Sequence, residues 1–222
     1  LLADLPACPG GVVAAAIASP LPKSSGSDAF TPWDGVGAEA VTGLITALYA
    51  GDTAGVLATV ASIDYTACRG TGDEESLVLF APSQPNTGHA RAVWRMGPAR
   101  ALVLEAPHPL FDSNTAVESA YLFEAVQARG LITSGTHRCV SDVPSGCDGK
   151  TKACSSDSKP YTETDMAHAA VSVFQSLHEA FELGLLHVAV TSETSGPEGY
   201  LLISVHGMAG DGVSVSNGTT AE

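Results

Sequence analysis

The sequence predicts an α/β protein: a mixed or mostly parallel open sheet with helices on both faces. Short apolar runs that stop at Pro or Gly alternate with longer stretches whose apolar residues recur at helical spacing. The 222 residues suit one α/β domain or two small ones, and a hydrophobic content of 45% can build a core although aromatics are only 6%. That composition excludes a disordered or collagen-like chain, and no internal repeat suggests a solenoid.

The elements follow in order. Residues 1–36 read as irregular, because Pro6, Gly10, Gly11, Pro20, Pro22 and the run Ser24 to Asp28 interrupt any period. Val41 to Tyr49 reads as a helix with Leu44, Ile45, Leu48 and Tyr49 on one stripe, and Asp52-Thr53 can cap a second through Ser62. Leu77 to Phe80, Ala90 to Met96 and Ala101 to Leu104 read as strands. Asn114 or Thr115 can cap a helix to Arg129 with Gly130 as its stop, and Leu131 to Thr133 is a short strand. From Cys139 to Pro160 the chain is long, polar and aperiodic, as an insertion would be. Thr162 or Thr164 then caps a helix ending near Gly184, with Ala167, Val171, Phe174, Leu177, His178 and Phe181 on one face. Leu186 to Val190 and Tyr200 to Val205 read as the last strands. The expected organisation is an irregular segment over 1–36 and a single α/β domain over 37–222, with the cysteine-containing insertion at 139–160.

Lys plus Arg is 10 and Asp plus Glu is 24, a formal net charge of −14. Such a polyanion repels phosphate backbones and acidic lipid, so nucleic acid and anionic membrane are not expected partners. No apolar run approaches a membrane span of ~20 residues. Gly11 to Ser19 is apolar but short and lacks a preceding basic residue, and the chain begins at Leu1, as it would with a leader already removed. The five cysteines, Cys8, Cys68, Cys139, Cys147 and Cys154, form no CxxC pair. A disulfide among Cys139, Cys147 and Cys154 is expected, because the polar loop has little else to hold it, and this favours a secreted, extracellular protein. Asn217-Gly218-Thr219 is a glycosylation triplet and supports little.

Three of the seven histidines follow directly on apolar strands: His108 after Ala101 to Pro107, His137 after Leu131 to Thr136, and His206 after Leu201 to Val205. In an open α/β sheet ligands bind outside the carboxyl ends of strands, so these imidazoles are expected to converge. Catalytic zinc takes about three protein ligands and an open position. His108 with Asp112 or Glu118, and His206 from the distant strand, would supply them. Asp112 can equally be a turn residue, and Glu118 can face solvent from its helix. Arg138 would clamp a substrate carboxylate with its fork, and His137 would polarise a carbonyl. Asp165 and His168 share a helix face as a capping acid and a surface imidazole, the alternative being support for a metal ligand. His178 is a core residue, and His89 and His187 carry no assignment. No Gly-x-Ser-x-Gly elbow, phosphate-binding loop or His-Glu-x-x-His helix is present, and Gly207 to Gly212 is glycine-rich without a lysine.

His108, Asp112, Thr115 and Glu118 resemble the His-Gly-Gly-Gly-Ile-Glu-x-x-Thr-Ser-Glu segment of phage-type poly-γ-glutamate hydrolases, zinc amidases with a fold similar to zinc carboxypeptidases. Val205-His206-Gly207-Met208-Ala209-Gly210 resembles their Ile-His-Gly-Cys-x-Gly strand end, whose histidine is a metal ligand. The resemblance is partial and spans Leu77 to Ser214, with the cysteine loop as an insertion. Pro109, Leu110 and Phe111 replace the glycines, and the first acid is Asp, one residue closer. It implies a zinc carboxypeptidase-like fold, Zn²⁺ as cofactor, and His108, Asp112 and His206 as ligands, favouring Asp112 over Glu118. The expected function is a secreted zinc-dependent hydrolase of a peptide or γ-glutamyl-like amide bond, acting on a small peptide-like or carboxylate-bearing substrate. Catalytic candidates are Glu118 as general base, His137 and Arg138. In the resembled family the general base lies well beyond the second histidine, whereas here only 16 residues follow His206, so the chain is either a fragment or has lost the activity. The alternative is a non-catalytic extracellular structural, filament or coat protein on a hydrolase-like scaffold, which would self-associate.

Overall fold

The computed structural model describes residues 3–18, 30–85, 87–191 and 199–207. Pro20, Pro22, the run Ser24 to Asp28, the glycine-rich stretch beyond Gly207 and the triplet at Asn217 lie outside them. Helices α1 (Val12–Ile17), α2 (Ala38–Thr42), α3 (Leu44–Ala50) and α4 (Thr53–Ser62) precede strands β1 (Tyr65–Arg69), β2 (Leu77–Pro82), β3 (Arg91–Arg95) and β4 (Arg100–Ala106). Then come α5 (Thr115–Ala125), β5 (Ala128–Thr133), the two-residue strands β6 (Lys150–Thr151) and β7 (Lys159–Pro160), α6 (Val173–Thr191) and β8 (Leu201–Ser204).

Six strands form one mixed sheet in the order β1-β2-β3-β5-β4-β8. The β1-β2, β2-β3 and β3-β5 pairs are antiparallel, while β4 runs parallel to both β5 and β8. Side-chain alternation feeds two cores. Val78, Phe80, Ala92, Trp94, Val103 and Ile132 pack with α2, α3, α4 and α6 on one face. Leu77, Leu79, Val93, Leu104 and Leu131 pack with α1 and α5 on the other. Both faces are covered, which is why the central strands read as continuous apolar runs.

Local chemistry accounts for several boundaries. The Asp52 side chain accepts from Gly55 N–H at 2.9 Å and caps α4 as its sequence suggests. The segment expected to be irregular contains α1, whose Val12 and Val13 N–H groups donate to the Glu74 carboxylate at 2.6 and 3.2 Å. The Cys8–Cys68 disulfide ties the approach to α1 to β1. The helix expected to reach Arg129 stops at Ala125, because Gln127 turns the chain at φ 53°. Gly130 is a strand residue rather than a helix stop: a Cβ there would lie 2.6 Å from the Phe181 ring and 2.9 Å from Val103.

The last helix differs most from expectation. It begins at Val173, where Ser172 Oγ accepts from Gln175 N–H at 3.1 Å, and residues near Thr164 form turns instead. It continues past Gly184 to Thr191, so Leu186 to Val190 is helix and not strand. Gly184 lets α6 approach α3 and the sheet, since a Cβ there would meet Ile45 of α3 at 2.5 Å and Trp94 of β3 at 2.8 Å. The insertion closes through the Cys139–Cys154 disulfide, as expected for that loop, and leaves Cys147 a free, exposed thiol. No helix among the described residues is long and apolar enough to cross a membrane.

Candidate metal centre

The ends of β5, β4 and β8 lie along one edge of the sheet because these three strands are parallel. His108 follows β4 and His206 follows β8, its immediate neighbour. After His108 the chain makes a helical turn: its carbonyl accepts from Phe111 N–H at 3.0 Å and Asp112 N–H at 2.8 Å. That turn carries Asp112 back beside His108. Thr115 Oγ1 donates to the Asp112 carbonyl at 3.0 Å and fastens it where α5 begins. Gly207 lets β8 close on this loop, since a Cβ on it would stand 3.0 Å from Asp112 Cβ.

Three ligand-type atoms thereby face one point. His108 Nδ1 and His206 Nδ1 are 3.2 Å apart, His206 Nδ1 and Asp112 Oδ2 3.4 Å, and His108 Nδ1 and Asp112 Oδ2 3.6 Å. A tetrahedral shell with bonds of ~2.0–2.1 Å has edges of about 3.3–3.4 Å, so the three separations outline one face of such a shell. His108, Asp112 and His206 form a group able to hold a metal ion. His108 is 1% exposed and Asp112 8%, whereas the His206 side chain is 42% exposed, so the site opens on the His206 side.

The far nitrogen of His108 fixes its tautomer. Nε2 lies 2.6 Å from Asp165 Oδ1, an acceptor that is 2% exposed, so Nε2 carries a proton and, in the neutral ring, Nδ1 is the nitrogen that presents the lone pair. Asp165 also meets His168 Nδ1 at 3.2 Å through Oδ1 and Arg138 Nη2 at 2.5 Å through Oδ2. Burial pushes its carboxyl up, but hydrogen bonds from His108 and His168 and the charges of His108 and Arg138 outweigh that and hold it far below the usual carboxylate range. Burial first, then the charge of neighbouring His108, lower the His206 pKa against the opposing Asp112 carboxylate, a shift in the direction of the neutral ring that ligation needs.

Of the three strand-end histidines, two meet and one stands aside. His137 packs edge-on against Phe111 at 5.4 Å between ring centroids, and its Nδ1 accepts from Cys139 N–H at 3.2 Å. Burial first, then the charges of Arg138 and His108, lower its pKa. Glu118 is exposed in the first turn of α5, and its carboxylate makes no hydrogen bond or ion pair among the described residues. Arg138 is committed through Nη2 to Asp165.

The sequence reading ranked Asp165 as a capping acid. It lies in a turn eight residues before α6, where its carboxylate meets His108 Nε2 at 2.6 Å and does not cap that helix. His168 stacks on Tyr161 with centroids 3.5 Å apart. His178 is half-buried as a partner of Glu105, while His89 bonds the Thr31 carbonyl. Nothing in the sequence marked Glu105 as the partner of His178, 73 residues on, or Asp165 as the partner of His108, 57 residues before it. Searches of protein-family models, curated proteins and solved structures returned no match to this chain.

Proposed function

We propose that this chain is a secreted, zinc-dependent hydrolase of amide bonds, of peptide or γ-glutamyl type, with a zinc carboxypeptidase-like fold. The observation that carries the reading is the convergence of His108 Nδ1, Asp112 Oδ2 and His206 Nδ1 at 3.2–3.6 Å, with the far nitrogen of His108 on Asp165. Two imidazoles and one carboxylate with an open side are a donor set for catalytic zinc. The metal would supply Lewis acidity toward a carbonyl and toward water. The chain's own residues do the rest. Asp165 holds the His108 ring, and the turn from His108 to Asp112 sets the second ligand. His137 offers a donor, because its Nδ1 is occupied as an acceptor and its Nε2 carries the proton in the neutral ring. Two disulfides support an oxidising, extracellular setting.

A second reading, a non-catalytic extracellular scaffold, is favoured by one observation. The two carboxylates that touch the site, Asp112 and Asp165, are both engaged, and Glu118 is exposed without a hydrogen-bond or ion-pair partner among the described residues. Metal analysis and cleavage assays separate the readings. The hydrolase reading expects one zinc per chain and chelator-sensitive release of aniline from γ-glutamyl or peptidyl anilides. Zinc without cleavage leaves the scaffold reading, and no zinc removes the hydrolase reading.

A further inference from the structure

Arg138 follows the end of β5, and its side chain is 12% exposed. Its fork is turned inward. Nη2 meets Asp165 Oδ2 at 2.5 Å, while the other carboxylate oxygen takes His108 Nε2 at 2.6 Å. One carboxylate thus joins the guanidinium to a metal ligand. The guanidinium carbon also lies 5.3 Å from the centre of the Phe111 ring, which belongs to the turn carrying His108 and Asp112. Arg138 is therefore fixed against the ligand loop on one side and against the support of His108 on the other.

The cysteine loop holds this arrangement in place. The Arg138 carbonyl accepts from Thr162 Oγ1 at 3.2 Å and Thr164 Oγ1 at 3.0 Å, so the end of the loop is fastened to its beginning just before Asp165. Cys139, the next residue after Arg138, is bonded to Cys154. No residue from 139 to 164 belongs to either apolar core. Hydrogen bonds and the cross-link, rather than burial in an apolar core, set where the backbone of Arg138 stands relative to Asp165.

We propose that Arg138 is a positioning residue of the metal centre, acting on His108 through Asp165, and that the Cys139–Cys154 disulfide holds it there. This rests on the metal reading above. A guanidinium fits because it can donate to a carboxylate from one nitrogen while its plane lies against an aromatic ring, which a lysine ammonium does less well. With Asp165 fixed, the His108 ring has one orientation and its lone pair one direction.

The test is a double-mutant cycle on Zn²⁺ affinity, measured against a chromophoric chelator. Asp165→Asn should weaken binding by about 10–100-fold, the range for partners outside the ligand shell. Arg138→Ala should weaken it about 10-fold, with Arg138→Lys recovering part of the loss. Arg138→Ala combined with Asp165→Asn should be no weaker than Asp165→Asn alone, since one acts through the other. Cys139→Ser with Cys154→Ser should weaken Zn²⁺ binding, whereas Cys8→Ser with Cys68→Ser should not. A metal-free readout runs beside this: solvent exchange of the His108 Nε2–H proton, followed by NMR, should speed up in Arg138→Ala. Additive losses, unchanged affinity in Arg138→Ala, or unchanged proton exchange would each overturn the proposal, even with zinc bound. Unchanged affinity with weakened acetate inhibition would return Arg138 to a substrate carboxylate. Faster proton exchange in a protein that binds no zinc would sink the metal reading and leave the Arg138–Asp165–His108 link standing.

Discussion

His108 meets Asp165 at 2.6 Å, and His178 meets Glu105 at the same 2.6 Å. Both carboxylates are buried, and both bonds join elements distant in sequence. The difference lies at the other ring nitrogen. Beyond His108 Nδ1 stand a second imidazole and a carboxylate within 3.6 Å. His178 uses Nδ1 for Glu105, and its Nε2 has no partner among the described residues. Glu105 spends its second oxygen on Ser204 Oγ at 3.0 Å, tying α6 and β4 to the edge strand β8. Asp165 spends its second oxygen on Arg138. A tight imidazole–carboxylate pair is thus not itself a site. It becomes one when the imidazole still has a directed lone pair aimed at other ligands, and otherwise it is a latch between elements.

Removing each imidazole should break this comparison most visibly. His108→Ala or His206→Ala should abolish measurable Zn²⁺ binding, a larger loss than the roughly 10–100-fold expected for outer partners. His178→Ala should leave affinity unchanged and lower thermal stability. Calorimetric titration with Zn²⁺ beside thermal unfolding reads both. Equal losses of affinity at His108 and His178 would erase the distinction.

The carboxylates at the site sharpen it further. Asp112→Ala should empty the site or weaken Zn²⁺ by orders of magnitude, because Oδ2 stands 3.4 and 3.6 Å from the two imidazole nitrogens. Glu118→Gln should leave Zn²⁺ bound, since its carboxylate is exposed on α5. Were Glu118→Gln to release the metal and Asp112→Ala to keep it, the ligand assignment would be reversed.

Much of this arrangement was legible in the sequence, and the remainder for definable reasons was not. Strands β2, β3, β4, β5 and β8 announced themselves as apolar runs, and a histidine after a strand marks the carboxyl edge of a sheet. The Asp52 cap was legible because its partner is three residues away. Helix α1 was not, because the carboxylate that satisfies its first N–H groups comes from Glu74, 62 residues on. Strand β1 has a short sequence signal, Thr66 between Tyr65 and Ala67, and the structure buries those two and exposes Thr66, the alternation of a half-buried strand. Leu186 to Val190 shows the opposite failure. A five-residue apolar run fits a strand or a buried helix equally, and here it extends α6. In the site, the strand-end places of His108 and His206 could be read from local context and Asp112 was singled out by the resemblance, but Asp165 is 57 residues from His108 and no spacing rule connects them.

The smallest effect separates the pairs by pH. The hydrogen bond to Glu105 raises the pKa of His178, burial opposes it, and the charges of Glu105, Glu182 and Glu179 add to the rise. A histidine whose folded pKa lies above its unfolded value of about 6.5 binds its proton more tightly in the folded state. Its contribution to stability is therefore complete below that unfolded value and is lost as pH rises through the raised folded value. His178→Asn retains an amide donor close to the Nδ1 position but cannot carry the charge. Wild type should exceed it by on the order of 1 kcal/mol at pH 6, the size of a half-buried charged hydrogen bond, and the gap should close toward pH 9. Urea unfolding of both proteins across that range measures it. A gap that widens with pH would mean that the folded state holds His178 neutral, and the latch would then be an uncharged Nδ1–H bond to Glu105.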